Sequence, residues 1–81
     1  MNKLIVEVTK KDYIKLVHLL MSSGYFNVTM LNVEHAISGT TGNVTKFLTV
    51  ATPLTESEFD KMMHKYAKDI EWIGVVSEVY A

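Results

Sequence analysis

Apolar residues recur along the first third of the chain with two different periods, and these periods predict a strand followed by a helix. Over residues 4–8, Leu4, Val6 and Val8 alternate with other side chains, which is typical of a half-buried strand. Over residues 10–22 the apolar positions follow the helical period. Thr9 lies three residues before Asp12, a variant of the capping box, so we expect it to start this helix.

The remaining residues predict a hairpin, a second helix and a last strand. Residues 25–37 and 44–52 are rich in β-branched and aromatic residues, and residues 38–43 contain two glycines that favour a turn. After Pro53, the run Thr55-Glu56-Ser57-Glu58 is a full capping box, which predicts a helix starting at Thr55. Residues 72–80 predict the final strand.

This element order, β-α-β-β-α-β, predicts an α+β fold in one domain covering residues 1–81. Right-handed crossovers around a central hairpin lead to the ferredoxin-like βαββαβ sandwich. We expect a four-stranded antiparallel sheet with strand order 4-1-3-2 and both helices on one face.

The other face of that sheet is the predicted interaction face. If side chains alternate strictly along each strand, the face away from the helices is too apolar to stand free in water. A shift of one residue in any strand would move its side chains to the opposite face. The residues predicted to form this face are Ile5, Leu31, Val33, Phe47, Trp72 and Val76.

Composition narrows the classes of partner. The chain has no cysteine, and all eight of its cationic residues are lysines, so thiol chemistry and guanidinium binding of phosphate are both excluded. A net charge of −1 provides no basic surface for nucleic acid or anionic membrane. Glu7 interrupts the N-terminal apolar run, and no window reaches the length of a membrane span. We therefore expect a cytoplasmic protein.

Candidate catalytic and metal-binding residues are few. Asp60 lies four residues before His64 and could share a metal with it, but no further ligand is near in sequence, which favours a solvated helix face. His18 and His35 are isolated, and no serine lies in a nucleophile motif. We predict no catalytic, metal-binding or cofactor-binding residues, and no enzyme activity.

The turn between the two middle strands is a candidate contact loop. Gly39-Thr40-Thr41-Gly42 is too short for a phosphate-binding loop and is not followed by a helix. We interpret it as a hairpin turn, with contact to a ligand or partner as the alternative.

Two known activities of this fold depend on residues that the chain lacks or has only in part. An acylphosphatase-like enzyme requires an arginine, which the chain lacks. An RNA-recognition module places aromatic residues on the first and third strands. Here Phe47 meets that requirement on the third strand, but the first strand offers only Ile5. Single-strand RNA binding is therefore the third-ranked hypothesis, and nucleic acid is not the expected partner.

The first third of the chain resembles small regulatory ferredoxin-like domains. The run Asn2-Lys3-Leu4-Ile5-Val6-Glu7-Val8, the helix with Leu16-Val17-His18-Leu19-Leu20, and Ser23-Gly24-Tyr25 are similar to PII-type and cyclic-dinucleotide-receptor proteins, and more generally to ACT-type domains. That resemblance implies oligomers, and in the PII type trimers that bind nucleotides through a long loop. Residues 38–43 are a short turn instead, so the resemblance extends to fold and oligomerisation only.

From these observations we expect a small non-enzymatic binding or regulatory module that self-associates through its open sheet face. A heterologous protein partner is the alternative. Lysine without arginine in a chain of 81 residues is common in short proteins from AT-rich genomes, including phage accessory proteins. Such proteins often bind and inhibit a host or defence protein.

Overall fold

Four strands and two helices follow one another in the predicted order. A computed structural model of the chain describes residues 1–37, 42 and 44–77. Of the candidate contact loop, Gly39, Thr40 and Thr41 lie outside these residues, and Gly42 has a φ of +74°. The elements are β1 (Asn2–Thr9), α1 (Tyr13–Ser22), β2 (Thr29–Ile37), β3 (Val44–Thr52), α2 (Glu56–Tyr66) and β4 (Trp72–Ser77).

The strands form one antiparallel sheet in the order β2-β3-β1-β4, which is 4-1-3-2 when counted from the β4 edge. The predicted ferredoxin-like α+β fold is confirmed. Both helices pack on the same face of the sheet, because their apolar side chains share one core with it. The fully buried members of that core include Leu16 and Leu20 of α1, Phe59 and Met63 of α2, and Leu4, Val6, Val8, Leu48 and Val50 of the sheet.

The start of α1 differs from the prediction. The helix begins at Tyr13, and the side chain of its N-cap residue, Asp12, makes no capping bond. The Oδ2 atom of Asp12 instead accepts a hydrogen bond from the backbone N–H of Glu71 at 2.7 Å. The Thr9 hydroxyl donates to the Glu71 carbonyl oxygen at 3.0 Å. Both side chains therefore tie the end of β1 to the segment before β4. The Thr9 hydroxyl also accepts from the backbone N–H of Asp12 at 3.4 Å, so one bond of the predicted capping box is present. The reciprocal bond is replaced by the one to Glu71, and the helix starts at Tyr13.

The strand β2 also starts later than predicted, at Thr29 instead of residue 25. Asn27 has a φ of +46°, a left-handed conformation that a strand cannot contain. The preceding ring, Phe26, is fully buried 5.1 Å from Phe59. The Phe26 carbonyl oxygen accepts a hydrogen bond from the buried Thr52 hydroxyl at 2.8 Å. This segment thus enters the core before the sheet begins.

The predicted capping box of α2 is confirmed. The Thr55 hydroxyl accepts from the backbone N–H of Glu58 at 3.2 Å, and the Glu58 carboxylate accepts from the backbone N–H of Thr55 at 3.0 Å. The bond from the Thr55 backbone lowers the pKa of Glu58 below its ordinary value. The ionised Glu58 carboxylate therefore stabilises the fold at pH values above its ordinary pKa. This stabilisation is lost as the pH falls through the lowered pKa.

We expect Thr55→Ala to lower the free energy of unfolding by about 1 kcal/mol at neutral pH, since it removes this N-cap. Thr55→Ser keeps the hydroxyl and serves as the matched control. Urea denaturation followed by circular dichroism measures both. Equal stability of the alanine and serine variants would show that the cap contributes nothing.

Candidate protein-interaction face

The face of the sheet opposite the helices, here called the open face, is organised in rows that cross the strands. Residues directly opposite each other in antiparallel strands have side chains on the same face. The central row, named the Ile5 row, follows from three pairings: Asn32 with Thr49, Thr49 with Ile5, and Ile5 with Val76. It crosses all four strands.

On one side of the Ile5 row lies the Phe47 row. Phe47 is paired with Glu34 of β2 on one side and with Glu7 of β1 on the other. Such directly opposed side chains have Cβ atoms about 4.5–5.5 Å apart. The Thr45 hydroxyl donates to Glu7 Oε2, and the Asn32 amide donates to Glu34 Oε1, both at 2.8 Å. Two oriented carboxylates therefore flank the aromatic ring and make its surroundings negative.

On the other side of the Ile5 row lies the Lys3 row. Among the described residues, Thr29, Ala51 and Lys3 lie in register there, across β2, β3 and β1. The Lys3 side chain is exposed. The described part of this row has no large apolar side chain, whereas the Phe47 row carries a large ring between two carboxylates.

Four of the six predicted residues lie on the open face: Ile5, Leu31, Phe47 and Val76. Leu31 is 46% exposed and Val76 is 55% exposed, and Ile5 and Phe47 are partly buried by their neighbours. Leu31, Ile5 and Phe47 border a depression of about 400 Å³. One apolar side chain from each strand thus contributes to an uncovered patch.

Val33 was wrongly predicted to lie on the open face. The register of β2 against β3 shifts between Met30 and Asn32, where Leu31 is the extra residue of a bulge. Beyond the bulge, Val33 lies opposite Leu48, whose side chain is fully buried in the core. Val33 therefore belongs to the helix side, and Glu34 takes the outward position instead.

Trp72 was also wrongly placed. The pairing of β4 with β1 shifts between Glu7 and Val8, so that Trp72 lies opposite the core residue Val8 and Ile73 is the extra residue. Trp72 packs against the core, and its ring meets the His64 ring of α2 edge-on at 5.1 Å. The tryptophan consequently joins β4 to α2 and is not part of the open face.

Glu34, Lys3 and Ala51 are members of the open face that sequence analysis missed. Strict alternation points Glu34 inward, and only the bulge at Leu31 turns it outward. Regular alternation places Lys3 and Ala51 outward, but neither has the large apolar side chain by which the face was predicted. The structure pairs them directly opposite one another. No local sequence signal distinguishes the bulge from regular strand.

The other candidate chemistry stays dispersed. His64 Nδ1 lies 2.9 Å from the backbone carbonyl oxygen of Asp60 and 3.5 Å from its carboxylate, on an exposed part of α2. Within residues 1–37, 42 and 44–77, no group of three or more histidine, aspartate or glutamate side chains is placed to hold a metal ion. None of the helices described is long and apolar enough to cross a membrane.

The corrected position of Trp72 leads to a stability prediction. We expect Trp72→Ala to lower the free energy of unfolding by about 2–3 kcal/mol, somewhat less than for a fully buried tryptophan. Val76→Ala, on the open face three pairing rows from Trp72, should change it by less than about 0.5 kcal/mol. Urea denaturation at high dilution measures both. Equal effects of the two substitutions would contradict the core position of Trp72.

Comparison of the chain with protein-family models, with curated proteins and with solved structures finds no match in any of the three. The residues of the open face are therefore the basis on which a function is proposed.

Proposed function

We propose that the protein is a non-enzymatic binding module that self-associates through its open sheet face. The observation that carries this proposal is the patch of Ile5, Leu31, Phe47 and Val76, one apolar residue from each strand, on the face that neither helix covers. Apolar side chains that stay uncovered together on one face favour a site of association.

The charge distribution favours a protein partner over RNA. The single large aromatic ring of the patch, Phe47, lies between the carboxylates of Glu7 and Glu34. A base stacked on this ring would bring its phosphates close to two negative charges, and RNA-binding proteins use positive ones there.

The dimensions of the sheet indicate a weak dimer. Four strands at a spacing of about 4.8 Å make a face roughly 19 Å wide, so a strand length of about 20 Å corresponds to about 400 Å² of plan area per copy. Two copies together contribute about 800 Å², which is below the range of about 1,200–2,000 Å² that stable interfaces bury in total. We expect dissociation constants in the micromolar range.

A different protein as partner is the second candidate function, and it includes inhibition of a host or defence protein. It is favoured by exposed apolar side chains outside the open face. Ile14 and Met21 of α1 are 57% and 60% exposed, and Tyr25 is 60% exposed while it stacks on Tyr66. Face-to-face packing of two sheets leaves these residues uncovered.

We expect Phe47→Glu to raise the dissociation constant of the self-associated form about 30-fold, or about 2 kcal/mol, because it adds a third carboxylate at the centre of the face. Light scattering over roughly 5–500 μM, a range that brackets micromolar affinity, measures the mass. Met21→Glu introduces the same charge at an exposed position of α1 and should leave the mass unchanged.

A wild-type mass of one chain, 9.2 kDa, over this whole range would contradict self-association and favour a different protein as the occupant. A monomeric Met21→Glu variant alongside an associated Phe47→Glu variant would place the interface on the helix side instead.

A further inference from the structure

We propose that the Glu56 side chain closes the free edge of β4, so that the β4 strand of a second copy is not added there. Glu56 Oε2 accepts two hydrogen bonds from Ser77, one from the backbone N–H at 3.2 Å and one from the hydroxyl at 2.9 Å. This edge is separate from the open face, and its closure does not depend on self-association there.

The sheet has two edges, and β2 protects the first of them by itself. In the order β2-β3-β1-β4, the described strands leave one side of β2 and one side of β4 without a neighbouring strand. The N–H and C=O groups along such a side are a template for pairing with another chain. The edge of β2 is interrupted by the bulge at Leu31 and carries the exposed polar side chains of Asn32, Glu34 and His35. Bulges and polar side chains of this kind hinder strand addition.

The edge of β4 has little protection in its own sequence. Its residues, Trp72-Ile73-Gly74-Val75-Val76-Ser77, include no charged side chain and no proline, and four of the six are aromatic or β-branched. The bulge at Ile73 disturbs only the start of the strand, and residues 74–77 pair with β1 in regular register. A regular, uncharged edge strand of this composition favours pairing with a further strand.

The bond from Ser77 shows which backbone groups face outward along this edge. Because the Ser77 N–H donates to Glu56 of α2, it points away from β1. Hydrogen-bonding groups alternate in direction along an antiparallel strand, so the N–H and C=O groups of Val75 point outward as well. An added strand would therefore bond to Val75 and Ser77, and Glu56 already occupies the N–H group of Ser77.

Glu56 also places negative charge where an added strand needs its own acceptor. In a β-ladder the Ser77 N–H donates to a carbonyl oxygen of the next strand, and that oxygen would have to take the position of Glu56 Oε2. Asp60, one helical turn further along α2, borders a depression of about 570 Å³ together with Glu56, Val75 and Ser77. Two carboxylates thus line the outer side of the edge, and they repel an incoming carbonyl oxygen.

The start of α2 holds Glu56 in this position. Glu56 is the first residue of the helix and follows the N-cap Thr55, whose capping box with Glu58 fixes the first turn. A carboxylate in the first turn is also favoured by the helix dipole. Ser77 lies opposite the buried Leu4, so its side chain is on the helix side of the sheet, within reach of α2. Capping within one turn therefore directs the carboxylate at a strand 21 residues later in the chain.

Closure of this edge limits how copies of the chain assemble. A chain that pairs with itself through both a face and an edge produces open-ended assemblies, whereas a single self-complementary surface closes at a dimer. Only this consequence rests on the proposed function. With β4 closed, association through the open face stops at two copies.

The closure is tested in the Phe47→Glu chain, which has a third carboxylate on its open face, so that a gain of association reports on another surface. We expect the additional substitution Glu56→Ala to raise the mass from one chain towards two over roughly 5–500 μM. The matched control, Glu58→Ala, removes a carboxylate of the same helical turn that bonds to Thr55 and not to β4, and it should leave the mass unchanged. Light scattering measures the mass, and circular dichroism checks that each variant folds.

Cross-linking with a short bismaleimide locates the new contact. The chain contains no cysteine, so a single introduced cysteine links only to another copy. Two β4 strands paired antiparallel at Val75 bring the side chains at position 76 to within about 7–8 Å of each other. We therefore expect Val76→Cys to link about fivefold faster or more with Glu56→Ala than with either Glu56 or Glu58→Ala, all in the Phe47→Glu chain.

Glu56→Gln separates the hydrogen bonds from the charge. Glutamine keeps an acceptor oxygen at the same reach, so we expect its mass and linking rate to stay within about twofold of those of the Phe47→Glu parent. Association as strong as that of Glu56→Ala would overturn the role of the two bonds to Ser77.

The remaining outcomes keep the edge and the open face apart. Equal masses and linking rates of the Glu56→Ala and Glu58→Ala variants would show that Glu56 only ties α2 to β4, and would overturn the closure. A monomeric wild type overturns the proposed function of the open face alone, because each edge variant is compared with its own Phe47→Glu parent.

Discussion

The rest of the structure depends on the alternation of inward and outward side chains along β1, the strand that lies between β3 and β4. Leu4, Val6 and Val8 are fully buried on its inner side, and this burial leaves no freedom in the direction of the residues between them. Since β1 pairs with both β3 and β4, its register is transmitted across the sheet. The core on one side and the three rows on the other are therefore two consequences of the same pattern.

The two edge strands each depart from this pattern by one residue, and the departures decide the chemistry of the open face. The bulge at Leu31 replaces Val33 by Glu34 beside Phe47. The bulge at Ile73 turns Trp72 into the core, against α2. Without the two bulges, the open face would hold Val33 and Trp72 and would lack the carboxylate of Glu34. With them it has apolar side chains interspersed with polar ones and two carboxylates beside Phe47, a combination that limits indiscriminate association.

Local signals predicted the helices and strands with different success. The capping box at Thr55 and Glu58 was predictable because both partners lie within one turn. The box proposed at Thr9 is only half formed, because the carboxylate of Asp12 has a competing partner, the backbone N–H of Glu71, about sixty residues later in the chain. The start of β2 was misplaced for the same kind of reason, since Phe26 joins a core contact with Phe59 that sequence periodicity does not reveal.

The sequence by itself determined the order and type of the elements, the direction of the side chains along β1, and the exclusion of thiol and guanidinium chemistry. It also identified four of the open-face residues, since Ile5, Phe47 and Val76 follow regular alternation and Leu31 lies on the same face at the bulge. Only the tertiary structure decided the faces of Val33, Glu34 and Trp72. The physical reason is that a bulge depends on pairing with a distant strand and on which side chains each face can bury. Neither can be inferred from the residues next to the bulge.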